Sequence, residues 1–343
     1  MKDMERLPRL RARHVTLAHG GGGRAMRDLV EEVFLEAFGR PGDGSLEDQA
    51  RLELPPGRTA FTTDSFVVSP LFFPGGDIGA LAVNGTVNDL AVGGARPLWL
   101  SAAFIIEEGT AIDLLRRVAA SMAREARKAG VTIVTGDTKV VGRGQADGVF
   151  VTTAGIGVIP PGRNLAAENV RPGDVVLVNG RLGDHGATIL NARGDLALET
   201  PIESDCRPLN RLMEAVLAAA PSCRAARDAT RGGIAAALNE IAEAAGVRIE
   251  IDEAALPLRS EIRGFCEILG LDPLYLANEG VLVTFVAPEE AEAALAAMRA
   301  LPEGQDAAVI GRVRQGRGVV LDTVLGGQRI VDMLVGDQLP RIC

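Results

Sequence analysis

Four aspartates stand where apolar runs end. Asp64 closes FTTD, Asp89 lies in VNDLAV beside Asn88, Asp137 closes VTIVTGD, and Asp228 lies in RDATRGG. Carboxylates gathered at the lip of a core repel one another unless a divalent cation joins them. Mg²⁺ suits such a set, with a polyphosphate completing its oxygen shell. Each Asp can equally cap a helix or turn, and residue type alone leaves both readings open. Lys139, two residues after Asp137, would place positive charge where phosphoryl charge accumulates; otherwise it is a solvated lysine. The glycine run at 20–23 could lay backbone N–H groups against phosphates, or be a flexible loop. Walker A, a GxGxxG opening a βαβ unit and GxSxG are all absent, which disfavours P-loop, dinucleotide-binding and triad-hydrolase readings.

The last residue, Cys343, carries a thiol beside the chain's own carboxylate. That carboxylate should raise the thiol pKa, and Arg341 should partly offset it. In the terminal GDQLPRIC, Pro340 prevents a regular ladder and little is apolar enough to bury. A mobile arm is expected over 336–343. A thiol on such an arm suits a tether that swings between sites; the alternative is an accidental terminal cysteine. Cys206, Cys223 and Cys266 fit no zinc spacing and read as fillers. His14, His19 and His185 are not spaced as a metal set, and His185 reads as structural or a hinge rather than a catalyst.

These residues need elements to position them. The spacing predicts a helix at 25–38 behind the glycine turn, and a β-rich run at 59–69. A helix capped by Asp77 follows, running to about 92, then strand 97–106 and a helix at 111–129 ending at Gly130. Strands follow at 131–140 and 148–159. The Pro- and Gly-rich segment 159–174 holds the expected boundary, giving domains 1–162 and 163–335 before the tail. The second half predicts strands at 174–180, 247–251, 281–286, 306–313 and 318–322. Its helices are expected after GDHG and at 207–219, 231–245, 258–269 and 289–300. A chain of 343 residues exceeds what one core usually holds, so two domains are the default. The class is α/β, or α+β, because strict alternation is missing. A net charge of −9 argues against a nucleic-acid partner. With no secretory signal and no membrane-length apolar run, the cytoplasm is the expected location.

FTTDS, NGTVNDLAVGGARP, VTGDTKVV, RDATRGG and ANEG occur in that order over nearly the whole chain. Together they resemble the superfamily of aminoimidazole ribonucleotide synthetase, selenophosphate synthetase and thiamine monophosphate kinase. FTTDSFVVSPLFFPGGDIG, the GDHG turn and the terminal PRIC resemble its HypE branch, the hydrogenase maturation factors. His19 stands where an Asp is common there, and RDAT replaces RDPT. The resemblance implies a two-domain aminoimidazole-ribonucleotide-synthetase-like fold whose N-terminal strands pair with a second subunit. It implies ATP and Mg²⁺ in the N-terminal cleft under the glycine loop. The nucleotide-binding set would be Gly21, Gly22, Gly23, Asn88, Asp89, Asp137, Thr138 and Lys139. Asp64, Asp89, Asp137 and Asp228 would hold the metal, and Cys343, Lys139 and Glu279 would be catalytic. A HypF-type partner would load a carbamoyl group on Cys343. ATP-dependent dehydration would turn it into a thiocyanate, and the cyano group would pass to iron held by HypC–HypD-type partners. Two readings compete: a kinase or synthetase acting on a diffusible substrate, and a scaffold that binds nucleotide without turnover.

Overall fold

The computed structural model describes residues 10, 12–40, 47–194, 201–334, 336 and 341–343. The first half opens with helices α1 (Arg24–Leu29) and α2 (Leu35–Phe38), joined by a π-helical turn at Val30–Phe34. Strand β1 (Arg58–Phe66) and a small hairpin, β2 (Phe72–Phe73) and β3 (Gly76–Asp77), lead into α3 (Ile78–Val92). Strand β4 (Arg96–Glu107), helix α4 (Ile112–Ala129), β5 (Thr132–Val141) and β6 (Val149–Ile159) complete it. Two signals read from sequence set the helix ends. Asp77 accepts from the Gly79 and Ala80 amides at 2.8 and 3.0 Å, capping α3. Gly130, at φ 73°, closes α4 in the left-handed conformation.

The four strands form one sheet in the order β1-β6-β4-β5, antiparallel except for β4 with β5. A parallel pair needs a crossover, and α4 provides it. Helix α3 is buried on nearly every side and lies against β1 and β6. The opposite sheet face is open: Phe61 and Ile105 on it are 68% and 42% exposed.

The second half carries β7 (Val175–Val178), α5 (Asp184–Ala192), α6 (Asn210–Ala219), β8 (Ala225–Asp228) and α7 (Gly233–Ala245). It continues through β9 (Arg248–Asp252), α8 (Ser260–Leu269), β10 (Leu282–Val286), α9 (Ala291–Arg299), β11 (Ala308–Arg314), β12 (Gly318–Asp322) and β13 (Gln328–Val331). Its seven-stranded sheet runs β13-β12-β9-β11-β7-β10-β8. The central strands β7 and β10 are buried throughout, as continuous apolar runs require. Strands β8 and β13 were not expected from the sequence; each has only four residues, two of them charged or polar. Apolar packing crosses between the halves. Ala187, Ile189, Ile262, Phe265 and Leu276 pack with Phe66, Ile78 and Leu81 from the first half.

Candidate functional site

Helix α3 brings Asp89 against β1, where Thr62 Oγ1 donates to Asp89 Oδ2 at 2.8 Å. Asp64, two residues on, faces the same side of the sheet. Strand β8 delivers Asp228, and the loop before β10 delivers Glu279. These four carboxyls feel one another's charge. Burial first, then Asp89, pushes Asp228 up to about 7. Burial also raises Asp89, with Asp64 adding to it and the Thr62 hydroxyl opposing it. Glu279 is held well above the carboxylate range by burial, then by Asp205, Asp228 and Asp64. Arg231, between β8 and α7, is the opposing cation, 3.7 Å from Asp64.

Glu279 is fixed through its backbone. Its N–H donates to Asp205 Oδ1 at 3.1 Å, and the Gly280 N–H donates to Oδ2 at 2.9 Å. A Cβ on Gly280 would lie 1.9 Å from the Asp205 carbonyl oxygen, so only glycine fits. Asn88 works here too. Its amide donates to the Arg207 carbonyl at 3.1 Å, and its oxygen accepts from the Leu209 N–H at 2.7 Å. This corrects the expectation that Asn88 binds nucleotide: it is buried, and both ends of its amide tie the halves together.

The chain's end enters this cluster. The Val67 N–H donates to a Cys343 carboxyl-terminal oxygen at 3.1 Å, and the Ser69 N–H donates to the Arg341 carbonyl at 3.4 Å. Arg193 donates to the Arg341 carbonyl at 2.9 Å, and Arg341 itself pairs with Asp147. Ile342 is buried at 4% exposure. The Cys343 thiol reaches the Glu279 carboxyl and is raised far above the usual thiol range, by burial first and then by Glu279. Residues 341–343 are docked, with Ile342 buried, which is one of the two placements a tether between sites would take; Pro340 lies outside the described residues. One expectation is corrected. The cation opposing the thiol's raised pKa is Arg231, not Arg341.

Asp137, Thr138 and Lys139 lie elsewhere. The register row Asp64–Thr153–Ala102–Gly136 crosses the sheet from β1 to β5. Asp137, one residue beyond that row, therefore points to the open face. Three strand spacings of about 4.8 Å separate the two edges, roughly 14 Å. Lys139 sits 3.4 Å from Asp137 on that same face. Thr138 is turned inward beside Phe104 and is buried. The glycine run meets this strand: a Cβ on Gly20 would lie 2.9 Å from Val140. Gly21, Gly22 and Gly23 follow it, and α1 begins next. Between α1, α2 and β5 lies a cavity of about 600 Å³ lined by Met26, Phe34, Phe38, Ile133, Gly136 and Thr138. Its size and apolar walls fit a nucleoside.

The site is thus in two parts, and the expected metal set of Asp64, Asp89, Asp137 and Asp228 is not assembled within one chain. Among the described residues no three His, Cys, Asp or Glu side chains stand close enough to hold a metal ion. The physical reason is the sheet's width. The donor chemistry of Asp64, Asp89 and Asp228, taken apart from their spacing, suits a hard divalent cation. They offer only oxygen donors, and the repulsion among them is what such a cation relieves. Asp205, Arg231 and the tail contacts escaped the sequence reading. Asp205 lies in no motif, and Arg231 was visible only as a neighbour of Asp228.

His19 is buried and structural. Its Nδ1 accepts from the Thr16 N–H at 3.0 Å, closing the turn before the glycines. His185 is fully buried in the first turn of α5. Burial pushes it down to about 4, so it is neutral near pH 7.

The raised pKa of Asp228 carries a stability prediction. Between about pH 4 and 7 the folded state keeps a proton that the unfolded state has lost, so stability falls as pH rises through that window. Asp228→Asn should therefore raise Tm by several degrees at pH 8 and change it little at pH 4, while abolishing turnover. Thermal melts at both pH values check this; equal shifts at the two would contradict it.

Comparison with known proteins gives the family. Residues 46–159 match the AIR synthase related protein N-terminal domain, and residues 171–323 match the AIR synthase related protein C-terminal domain. Carbamoyl dehydratase HypE of Rhodobacter capsulatus is 70% identical over 341 residues, covering 97% of this chain and 99% of the relative. A crystal structure of hydrogenase maturation protein HypE in complex with ATP is 49% identical at a TM-score of 0.92. It covers 95% of this chain and 99% of its own. A HypE–HypF complex structure is 48% identical at a TM-score of 0.79, covering 89% and 99%.

Proposed function

We propose, from the premise that this chain belongs to the HypE carbamoyl dehydratase family of hydrogenase maturation proteins, that its substrate is a carbamoyl group carried on its own Cys343. The observation that carries this reading is the docked tail, which sets the Cys343 thiol against Glu279 beside Asp64, Asp228 and Arg231.

The chemistry follows from the group's weakness as an electrophile and a leaving group. An amide does not lose water near neutral pH unless its oxygen is activated. The carbamoyl oxygen attacks the γ-phosphorus of ATP, the bond to the bridging oxygen breaks, and ADP leaves. Glu279 takes a proton from nitrogen as the C–N multiple bond forms. The C–O bond to phosphate then breaks, leaving the thiocyanate. Of the two nitrogen protons, one ends on the released phosphate and one in solvent. A buried carboxyl whose pKa is raised is suited to this work near neutral pH. Asp64, Asp89 and Asp228 would hold Mg²⁺, which would neutralise phosphate charge.

The raised thiol pKa argues that loading happens elsewhere. A docked Cys343 is protonated and a poor nucleophile, so a HypF-type carbamoyltransferase would meet the tail undocked. Eight residues from Gly336 span at most about 26–29 Å, enough to leave the cleft. The cyano group would then pass to a HypC–HypD-type iron carrier.

The two-part site supports a homodimer. The open sheet face carries exposed Phe61 and Ile105 together with Asp137 and Lys139, and a second copy would cover it. ATP would bridge the parts, with its phosphates against Gly21, Gly22 and Gly23.

Incubation with a HypF-type partner, carbamoyl phosphate and ATP should add one carbamoyl mass to the C-terminal peptide, followed by loss of one water. Modification of any other peptide would overturn the reading. Lys139→Ala should lower turnover roughly 10²-fold, as losing one transition-state charge partner does, with a smaller change in ATP affinity. Single-turnover rates and nucleotide titrations on carbamoylated protein separate the two; equal rates would remove Lys139 from the mechanism.

A further inference from the structure

The GDHG and ANEG turns are joined. The Gly183 N–H donates to Asn278 Oδ1 at 2.7 Å, and the Gly186 N–H donates to the Ala277 carbonyl at 2.9 Å. His185 therefore sits at a fixed offset from Glu279, because each lies one or two residues from these bonds.

Both imidazole nitrogens of His185 are committed. Nε2 lies 2.9 Å from the Ile342 carbonyl oxygen, and Nδ1 lies 2.8 Å from Ser204 Oγ. A carbonyl can only accept, so Nε2 carries the proton. Nδ1 then accepts, which requires the Ser204 hydroxyl to donate. The hydroxyl's own oxygen accepts the Cys206 N–H at 3.1 Å. The Ser204 N–H is anchored to the Pro74 carbonyl at 3.0 Å. Phe73 meets the imidazole edge-on, with ring centroids 5.6 Å apart. The acceptor-only Ile342 carbonyl selects the tautomer, and Ser204, held by its bonds to Cys206 and Pro74, supplies the donor that completes it.

We propose that His185 is a positioning residue, a latch that holds the Ile342 carbonyl and so sets the Cys343 thiol against Glu279. Ser204 donates to Nδ1 and so supports the tautomer in which Nε2 is the donor. The peptide after Ile342 leads directly to the carrier cysteine, so this hydrogen bond, together with the Val67 N–H on Cys343 itself, sets the reacting group's depth in the cleft. When the tail leaves, the buried Nε2–H loses its acceptor, which biases the arm toward docking. The latch stands on tail geometry; its use in dehydration rests on the function proposed above.

The test reads tail position without turnover. Iodoacetamide alkylation of each cysteine is followed by peptide mass spectrometry in the full-length protein without nucleotide. His185→Leu should speed alkylation of Cys343 about tenfold, the scale of one lost hydrogen bond, and leave Cys206, Cys223 and Cys266 unchanged. His185→Gln, which keeps an N–H donor near the Nε2 position, should restore most of the protection. Ser204→Ala should give a smaller rise. An unchanged Cys343 rate in His185→Leu would overturn the proposal. So would a glutamine variant as reactive as the leucine one, or a parallel rise at all four cysteines. A second measurement needs no change at His185. In ¹⁵N-histidine-labelled protein the Nε2–H signal should be protected from exchange, and removing residues 341–343 should abolish that protection. Identical imidazole signals with and without the tail would also overturn it. Failure of dehydration with alkylation as expected would count against the function and leave the latch standing.

Discussion

Cys343→Ala is expected to fold, bind ATP and form no thiocyanate at all. The loss is total because the substrate is attached through this sulfur, and no neighbouring side chain offers a substitute. Cys206 is half-buried and its thiol is raised well above the usual range, by burial and then by Glu279. Burial raises Cys223 to about 12 and Cys266 to about 11. None of the three is a ready nucleophile. The fold should survive because the tail is docked mainly by backbone. The Val67 and Ser69 amides, Arg193 and His185 all bind carbonyl or terminal oxygens that alanine retains. Mass spectrometry after incubation with partner, carbamoyl phosphate and ATP checks the first point, and nucleotide titration checks the second. Cyano product from Cys343→Ala would mean that the tether hypothesis is wrong and that a diffusible substrate is used.

Glu279→Gln should load normally and stall in dehydration, by about 10²–10⁴-fold, the usual contribution of a general base. The substitution keeps shape and removes only the acid–base function. The main-chain bonds to Asp205 that fix the turn do not involve the side chain, so the carboxamide should sit where the carboxyl sat. The pH dependence has a definite sign. Glu279 is raised by burial and by Asp205, Asp228 and Asp64, and it accepts a proton only when ionised. Wild-type turnover should therefore climb with pH through the range in which Glu279 ionises. The variant should lose that limb along with its rate. Single-turnover conversion of carbamoylated protein, measured across pH, checks both. A normal rate for the variant, or a pH profile unchanged in shape, would remove Glu279 as the base.

The chain's linear order determined much by itself. Caps and glycine stops read as local signals because their physics is local: Asp77 bonds amides two and three residues on, and Gly130 needs only its own φ. Motif order named the family, and with it the carboxylates Asp64, Asp89 and Asp228 and the base candidate Glu279. A terminal cysteine after PRI was visible as a chemical oddity before any fold was known.

Tertiary structure decided what depends on distance between remote residues. Asp137 and Lys139 belong to the same motif set as Asp64. Yet the pleat turns them to the open face, and the sheet's width moves them to the other edge. Asn88 reads as a nucleotide ligand from its neighbour Asp89, but a helix turns adjacent side chains about 100° apart. One faces the carboxylates while the other ties down Arg207 and Leu209. How the tail docks was not legible, because sequence counts side chains and the tail is held by backbone carbonyls. Only the folded chain brings Val67, Ser69, His185 and Arg193 to those oxygens. Arg231 and Asp205, the cation and the anchor of the site, act through space on Cys343 and Glu279, and spacing along the chain carries no record of such a pairing.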